Sequence, residues 1–236
     1  MTTAPPAPDR SPPRSLVHPD GWPFILGLLA LAAAFGYVWK PLAGMFAALA
    51  LWALWFFRNP GRKAPAEKGA IVSPADGVVC AIEEAAWPKE TGLGGPRRTR
   101  ISIFMNVLNV HVNRVPASGT VSALHYIPGK FFNASLDKAS EHNERNAVRL
   151  RLADGRELAV VQIAGLIARR IKCYIGENLP VRAGQRFGMI RFGSRVDVYL
   201  PPGVNALVAE GQRAIGGETV LADLLSGETP RHGEVR

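Results

Sequence analysis

Cysteine is scarce in this sequence. Cys80 and Cys173 are its two cysteines, far apart and in neither a C-x-x-C nor a zinc-ligand spacing. A disulfide framework and a structural metal site are therefore disfavoured, and two buried thiols in a reducing compartment are expected. The histidines offer no metal pattern either, since His18, His111, His125, His142 and His232 are scattered, with no H-x-H and no H-E-x-x-H. Acidic residues are outnumbered, 19 Asp plus Glu against 28 Lys plus Arg, for a formal net charge of +9. That imbalance favours an acidic partner, nucleic acid or an anionic membrane face, and charge alone does not choose between them. A chain of 236 residues has room for one catalytic core with an appendage, not for two full domains and a long tail.

Charge is missing altogether from two stretches, and these decide the choice. Residues 1–20, MTTAPPAPDRSPPRSLVHPD, are proline-rich and polar with no apolar period, as in a disordered tail. From Trp22 to Trp39 the run WPFILGLLALAAAFGYVW carries no charge, and after Lys40 and Pro41 a second run, LAGMFAALALWALWFF, extends from Leu42 to Phe57. Each is slightly short of the roughly 20 residues that cross a bilayer upright. The Lys-Pro break between them predicts a helical hairpin over 21–58, because proline fixes its own φ and disfavours helix in the residue before it. Neither run has a polar face, which argues against two buried core helices. Trp22, Trp39, Trp52 and Trp55 lie near the run ends, as interfacial aromatics do. Arg10 and Arg14 precede the hairpin and Arg58, Arg62 and Lys63 follow it, so the positive-inside bias puts both flanks in the cytoplasm. The expectation is a cell-membrane protein with its globular part on the cytoplasmic face and no nucleic-acid partner. A cleaved signal peptide is disfavoured by the long tail ahead of the apolar block, by the second span and by the lack of a small-residue cleavage site.

Past Pro60 the chain turns to short stretches rich in valine and isoleucine, punctuated by Gly, Pro and Asp. Strands are expected at Ala70–Val72, Gly77–Ala81, Arg100–Met105, Gly119–His125, Ala147–Leu152, Glu157–Ile163, Arg186–Ile190 and Arg195–Leu200, with a helix over Ile167–Tyr174. The fold class is mainly β, an antiparallel sandwich or barrel with few helices and a hybrid-motif character, plus the membrane hairpin. Trp87–Arg98 reads as a flexible loop, and Pro128–Asn146 as a loop that could cover a site. The domains are then a tail over 1–20, the hairpin over 21–58, a catalytic domain over 59–228 and a second tail over 229–236.

Gly193 and Ser194 fall between two strand-like runs in GQRFGMIRFGSRVDVYLP. In a strained turn the Ser194 hydroxyl can attack the Gly193 carbonyl, whose glycine leaves room for the approach, and turn the amide into an ester. Elimination across the serine α and β carbons then cuts the chain, and the dehydroalanine left behind hydrolyses to a pyruvoyl group with loss of ammonia. A lone Gly-Ser pair is ordinarily a hairpin turn. Three further segments change its reading: SPADGVV (Ser73 to Val79), FMNVLNVHVNRVPASG (Phe104 to Gly119) and EHNERN (Glu141 to Asn146).

Together with RFGSRVDVYLP these segments resemble the phosphatidylserine decarboxylase family in its short, archaeal-type form, over about Arg58 to Gly227. The resemblance implies that Asp76 and His111 assist Ser194 in self-cleavage, with histidine accepting the serine proton and the carboxylate orienting the imidazolium. It also implies a covalent pyruvoyl cofactor derived from Ser194, no metal, and phosphatidylserine in the membrane as the partner. The α and β chains cut from one precursor would stay associated, and a homo-oligomer is allowed. Longer members carry a second histidine where this chain has Arg114, and a threonine where it has Arg195. His111 must then serve both self-processing and decarboxylation, or another group such as His142 takes the second role. Lys130, His142, Arg145 and Arg195 are the candidates for gripping the substrate. Two other readings compete. A pyruvoyl decarboxylase of a soluble amino acid would not need the hairpin, and a biotinyl- or lipoyl-type carrier would need a lysine at the Gly193–Ser194 turn.

Overall fold

The computed structural model describes residues 15–92, 96–129, 143–165, 170–191, 194–229 and 231. These residues fall into two compact units. The smaller takes the described chain up to Gly61 together with the tip Val107–Val110, and the larger takes Arg62–Asn106 and the described chain from His111 onward.

The smaller unit is the expected helical hairpin. α1 (Trp22–Val38) and α2 (Lys40–Phe56) are separated by Trp39 alone, which is extended (φ −155°, ψ 98°). Trp39 closes α1 by donating its N–H to Phe35 O, and opens α2 by accepting from the N–H groups of Leu42 and Ala43. Pro41 sits in the first turn of α2, where its missing N–H costs nothing. The helices run antiparallel, with the Phe35 and Phe46 rings 5.5 Å apart near the bend and Phe24 and Phe57 stacked at 5.6 Å near the open end. The chain entering α1 is tied to the chain leaving α2, because His18 N donates to Phe57 O and Asn59 N to Leu16 O, both at 2.7 Å. With its short 3-10 lead-in, the first helix runs Pro19–Val38, 20 residues, and is long and apolar enough to cross a membrane. α2 is apolar too, but shorter at 17 residues.

The larger unit is built from strands, in this order along the chain: β1 (Ala70–Val72), β2 (Gly77–Ala85), β3 (Arg98–Met105), β4 (Val112–Arg114), β5 (Gly119–Ile127), β6 (Arg145–Arg151), β7 (Glu157–Ala164), β8 (Ile171–Cys173), β9 (Pro180–Val181), β10 (Arg186–Ile190), β11 (Ser194–Tyr199), β12 (Arg213–Ala214) and β13 (Val220–Asp223). Among the described residues every pairing is antiparallel. An eight-stranded sheet has the order β12-β2-β3-β11-β7-β6-β5-β9, a three-stranded sheet the order β4-β10-β8, and β1 pairs with β13. The expected mainly β, antiparallel class is found. The helix expected over Ile167–Tyr174 is not found where that stretch is described, because Ile171–Cys173 forms an edge strand on β10, while residues 167–169 lie outside the described residues.

Alternation sorts the large sheet into two faces. Ile101, Ile103 and Met105 of β3, Val196 and Val198 of β11, and Val148 and Leu150 of β6 enter the main core, each nearly or fully removed from water. Full burial of such a side chain stabilises the fold by about 1.5–3 kcal/mol. The opposite face carries a smaller apolar cluster of Ala85, Trp87, Ala147, Ala159, Val161, Ile163 and Tyr199. At Gly77 the strands come so close that a Cβ would lie 2.2 Å from Phe104 O, which explains the glycine after Asp76.

Candidate active site

Ser194 opens β11, paired with Met105 of β3 on one side and Ala164 of β7 on the other. It shares the core-facing parity of Val196 and Val198 and is fully buried. Among the described residues its Oγ has no hydrogen-bond partner. A buried hydroxyl left in that state costs about 1–3 kcal/mol, so packing does not account for a serine at this position. Gly193, Lys130 and His142 lie outside the described residues.

The motif segments gather around the end of the sheet that Ser194 marks. His111 is fully buried just ahead of β4, and its carbonyl accepts from Ile190 N at 3.3 Å, four residues before Ser194. Arg114 N donates to Pro74 O at 2.8 Å, which joins the N-V-H-V-N-R segment to the S-P-A-D turn. Val78, Phe104 and Arg195 form one row across β2, β3 and β11. Asp76 and Ser194 thus lie toward the same strand end with β3 between their strands, about 10 Å apart sideways at the usual strand spacing. The Asp76 carboxylate is held on both oxygens: Oδ2 accepts from Arg62 Nη2 at 2.6 Å and Oδ1 from Gly216 N at 2.8 Å. From the E-R-N segment, Asn143 Nδ2 donates to the carbonyl of Ala164, the residue opposite Ser194, at 2.7 Å.

Between these segments runs a buried chain of amides that the sequence reading did not single out. Asn146 Nδ2 donates to Gln162 Oε1 at 2.9 Å, Gln162 Nε2 to Asn113 Oδ1 at 2.8 Å, and Asn113 Nδ2 to Met105 Sδ at 3.6 Å. Gln162 lies opposite Val196, one core-facing step from Ala164, which makes it a diagonal neighbour of Ser194 across the ladder. Asn113 is two residues from His111. Gly188 passes so closely over Gln162 that a Cβ would sit 2.6 Å from Nε2. The signal for this relay was available, because Gln162 is a polar residue at a core-facing position of the apolar run ELAVVQIA.

Arg195 and Arg145 belong to the other face. Arg195, next to Ser194 on a strand, must point away from the core-facing side. It forms a buried pair with Asp197, Nε to Oδ1 at 2.9 Å and Nη2 to Oδ2 at 3.0 Å. Arg100, which also pairs with Glu83, adds a second cation 3.9 Å from Asp197 Oδ2, and this carboxylate holds the Arg100 guanidinium above its ordinary range despite burial. Arg145 stands opposite Ile163 in the same row as Arg195. The structure therefore separates these two candidates from the face that carries Ser194.

Arg114 is nearly buried and donates to Gly184 O at 2.8 Å. Burial and the neighbouring Arg186 and Arg62 lower its pKa to about 10, with Asp76 and Glu218 acting in the opposite sense. It remains a cation at neutral pH and is no substitute for an imidazole that gains and loses a proton there. Among the described residues no group of three or more His, Cys, Asp and Glu side chains is placed to hold a metal ion.

A family profile for phosphatidylserine decarboxylase matches residues 49–222. Across 221 residues the chain is 57% identical to the phosphatidylserine decarboxylase proenzyme of Paramagnetospirillum magneticum, covering 93% of this chain and 92% of that protein. It is 54% identical over 220 residues to the proenzyme of Cereibacter sphaeroides, covering 93% and 95%, and 51% identical over 208 residues to that of Rickettsia bellii, covering 88% and 90%. The chain belongs to the phosphatidylserine decarboxylase family. Membership covers every strand from β1 through β12 and most of β13, together with the end of α2, so the family match and the cluster of motif segments concern the same part of the molecule. Within the described residues, the motif segments are brought together by hydrogen bonds and strand pairings around Ser194.

Proposed function

We propose that this chain is a self-processing proenzyme that decarboxylates phosphatidylserine to phosphatidylethanolamine through a pyruvoyl group made from Ser194. The observation that carries the proposal is the buried Ser194 hydroxyl, partnerless among the described residues, at the head of a strand paired on both sides. Such a hydroxyl is poorly explained by stability and well explained as a group kept for its chemistry. His111 is anchored through its carbonyl to the strand that leads to Ser194, which supports its role as acceptor of the serine proton. Asp76, at the same end of the sheet, supplies negative charge, and its two fixed oxygens keep that charge in place.

The steps balance within the chain plus one water. Ser194 Oγ gives up its proton and attacks the Gly193 carbonyl carbon, the Gly193–Ser194 C–N bond breaks, and the serine nitrogen takes up a proton. Removal of the Ser194 α proton then expels the Gly193 carboxylate from Cβ. Water replaces the nitrogen of the resulting dehydroalanine and releases ammonia. The residues present fit the group so formed, since the Ser194 side chain that is converted is fully buried on the core-facing side of the sheet, diagonal to the uncharged Gln162 amide. When present, the pyruvoyl group supplies an electron-accepting carbonyl that takes up the electron pair left as the substrate carboxylate departs as carbon dioxide. The task of the protein is to exclude water, hold the reacting carbons, and supply protons from His111.

The hairpin fits a lipid substrate better than a soluble amino acid, because anchoring raises the effective concentration of enzyme at the headgroup layer. Arg58 and Lys63 after the hairpin favour an anionic cytoplasmic leaflet. Intact mass of the purified protein tests the proposal. Two species are expected, one ending at Gly193 and one beginning with a blocked residue 194, while Ser194→Ala stays one chain. A single full-length species in fully active enzyme overturns the proposal.

A further inference from the structure

We propose that the tip Val107–Val110, between β3 and β4, is a second membrane-inserting element whose occupant is an anionic lipid interface. This rests on the reading of the hairpin as a membrane element, and it adds a part of the chain that lies fifty residues beyond the hairpin in sequence.

Leu108 is 57% exposed and Val107 39% exposed at the point of a tight turn, where polar residues and glycine are the usual choice. The tip packs into the same compact unit as the two apolar helices. Its connection to them is specific. Arg58, just past α2, donates Nη2 to Leu108 O at 2.8 Å and Nη1 to Trp55 O at 2.7 Å, and its guanidinium lies 4.2 Å from the centre of the Trp55 ring. Trp55 is itself 55% exposed. One arginine thus links an exposed tryptophan to an exposed Val-Leu pair, at the open end of the hairpin where both flanks of the chain meet. This combination suits the boundary of a bilayer. Tryptophan prefers the headgroup level, an arginine there meets lipid phosphates, and short apolar side chains enter the upper acyl region. Charge complementarity selects the lipid: the cation at the tip and the +9 formal charge of the chain favour an anionic leaflet.

Depth-resolved fluorescence tests the proposal. In the full chain carrying Cys80→Ser and Cys173→Ser, an environment-sensitive probe is attached at Leu108→Cys, and in a second protein at Val107→Cys, with Leu225→Cys of the larger unit as the control. The proteins are reconstituted into phosphatidylglycerol–phosphatidylcholine vesicles whose acyl chains are brominated near the headgroup or near the tail. Both tip probes are expected to shift to the blue and lose intensity to shallow bromines more than to deep ones, while the control loses none. Removing phosphatidylglycerol should weaken the tip signal. Tip probes that remain open to aqueous iodide and ignore bromolipid overturn the proposal. Probes shielded from iodide yet unaffected by bromolipid overturn it as well, because the tip is then covered by protein. The readout is independent of self-cleavage, so its failure is distinguishable from failure of the pyruvoyl assignment.

Discussion

Replacing Gln162 with leucine tests the buried amide relay. The side chain is fully buried, accepts from Asn146 and donates to Asn113, so its loss strands one donor and one acceptor in the core. Each stranded group costs about 1–3 kcal/mol, or roughly 2–6 kcal/mol for both. Removing the glutamine amide from the interior returns about 1–2 kcal/mol, so the net loss is about 2.5 kcal/mol at mid-range, a substantial share of the 5–15 kcal/mol that usually holds a domain together. The assay is urea unfolding of the full chain in detergent, followed by circular dichroism of the strands, in a Ser194→Ala background so that only one uncut species is present. A triple variant with Asn113→Leu and Asn146→Leu should recover part of the loss, since no half-satisfied amide is left behind. With Ser194 restored, Gln162→Leu should also slow self-cleavage, because Asn113 is no longer fixed two residues from His111. A stability change under about 0.5 kcal/mol, the range of an ordinary surface substitution, would refute the reasoning.

Gly77→Ala should destabilise the fold by more than about 2 kcal/mol, because the new Cβ meets the Phe104 carbonyl oxygen at 2.2 Å and backbone must move; thermal unfolding of the Ser194→Ala form measures it. The Cys173 thiol is pushed up from its ordinary value chiefly by burial, so at pH 7.5 it stays protonated and should react with maleimide more slowly than a free thiol, with the rate still climbing at pH values where a free thiol has levelled off. A Cys173 reaction curve that levels off where that of a free thiol does would show the site to be more open than its burial implies.

Much of the β architecture was legible, because period-2 alternation is a strong signal wherever one face is buried. Ala70–Val72 and Arg186–Ile190 were located residue for residue, and the charge-free runs gave the hairpin to within one or two residues. The misses have physical causes. Ile171–Cys173 is three residues long and among the described residues pairs with β10 alone, too short to show a period, and its neighbours suggested a helix instead. Val112–Arg114 was passed over because Asn113 and Arg114 are polar, although both are buried for what they bind. The two-residue strands β9 and β12 are defined by their partners and by nothing in their own sequence. For the site, Ser194, His111 and Asp76 were named from motif segments. The opposite facing of Arg195 was implicit in alternation once Ser194 was assigned to the core side.

The central position of β11 has a consequence for the cut itself. A break before Ser194 would make β11 the opening strand of the new, shorter chain, hydrogen-bonded to β3 and β7 of the longer one. The shorter chain would also hold β12 against β2 and β13 against β1. The two pieces would then be woven through each other as warp and weft are, with no separate globule for the smaller to retreat into. Their dissociation would be the same event as unfolding, so a chain cut before Ser194 would lose a peptide bond at the edge of a central strand without ever passing through a stage at which its two pieces could drift apart.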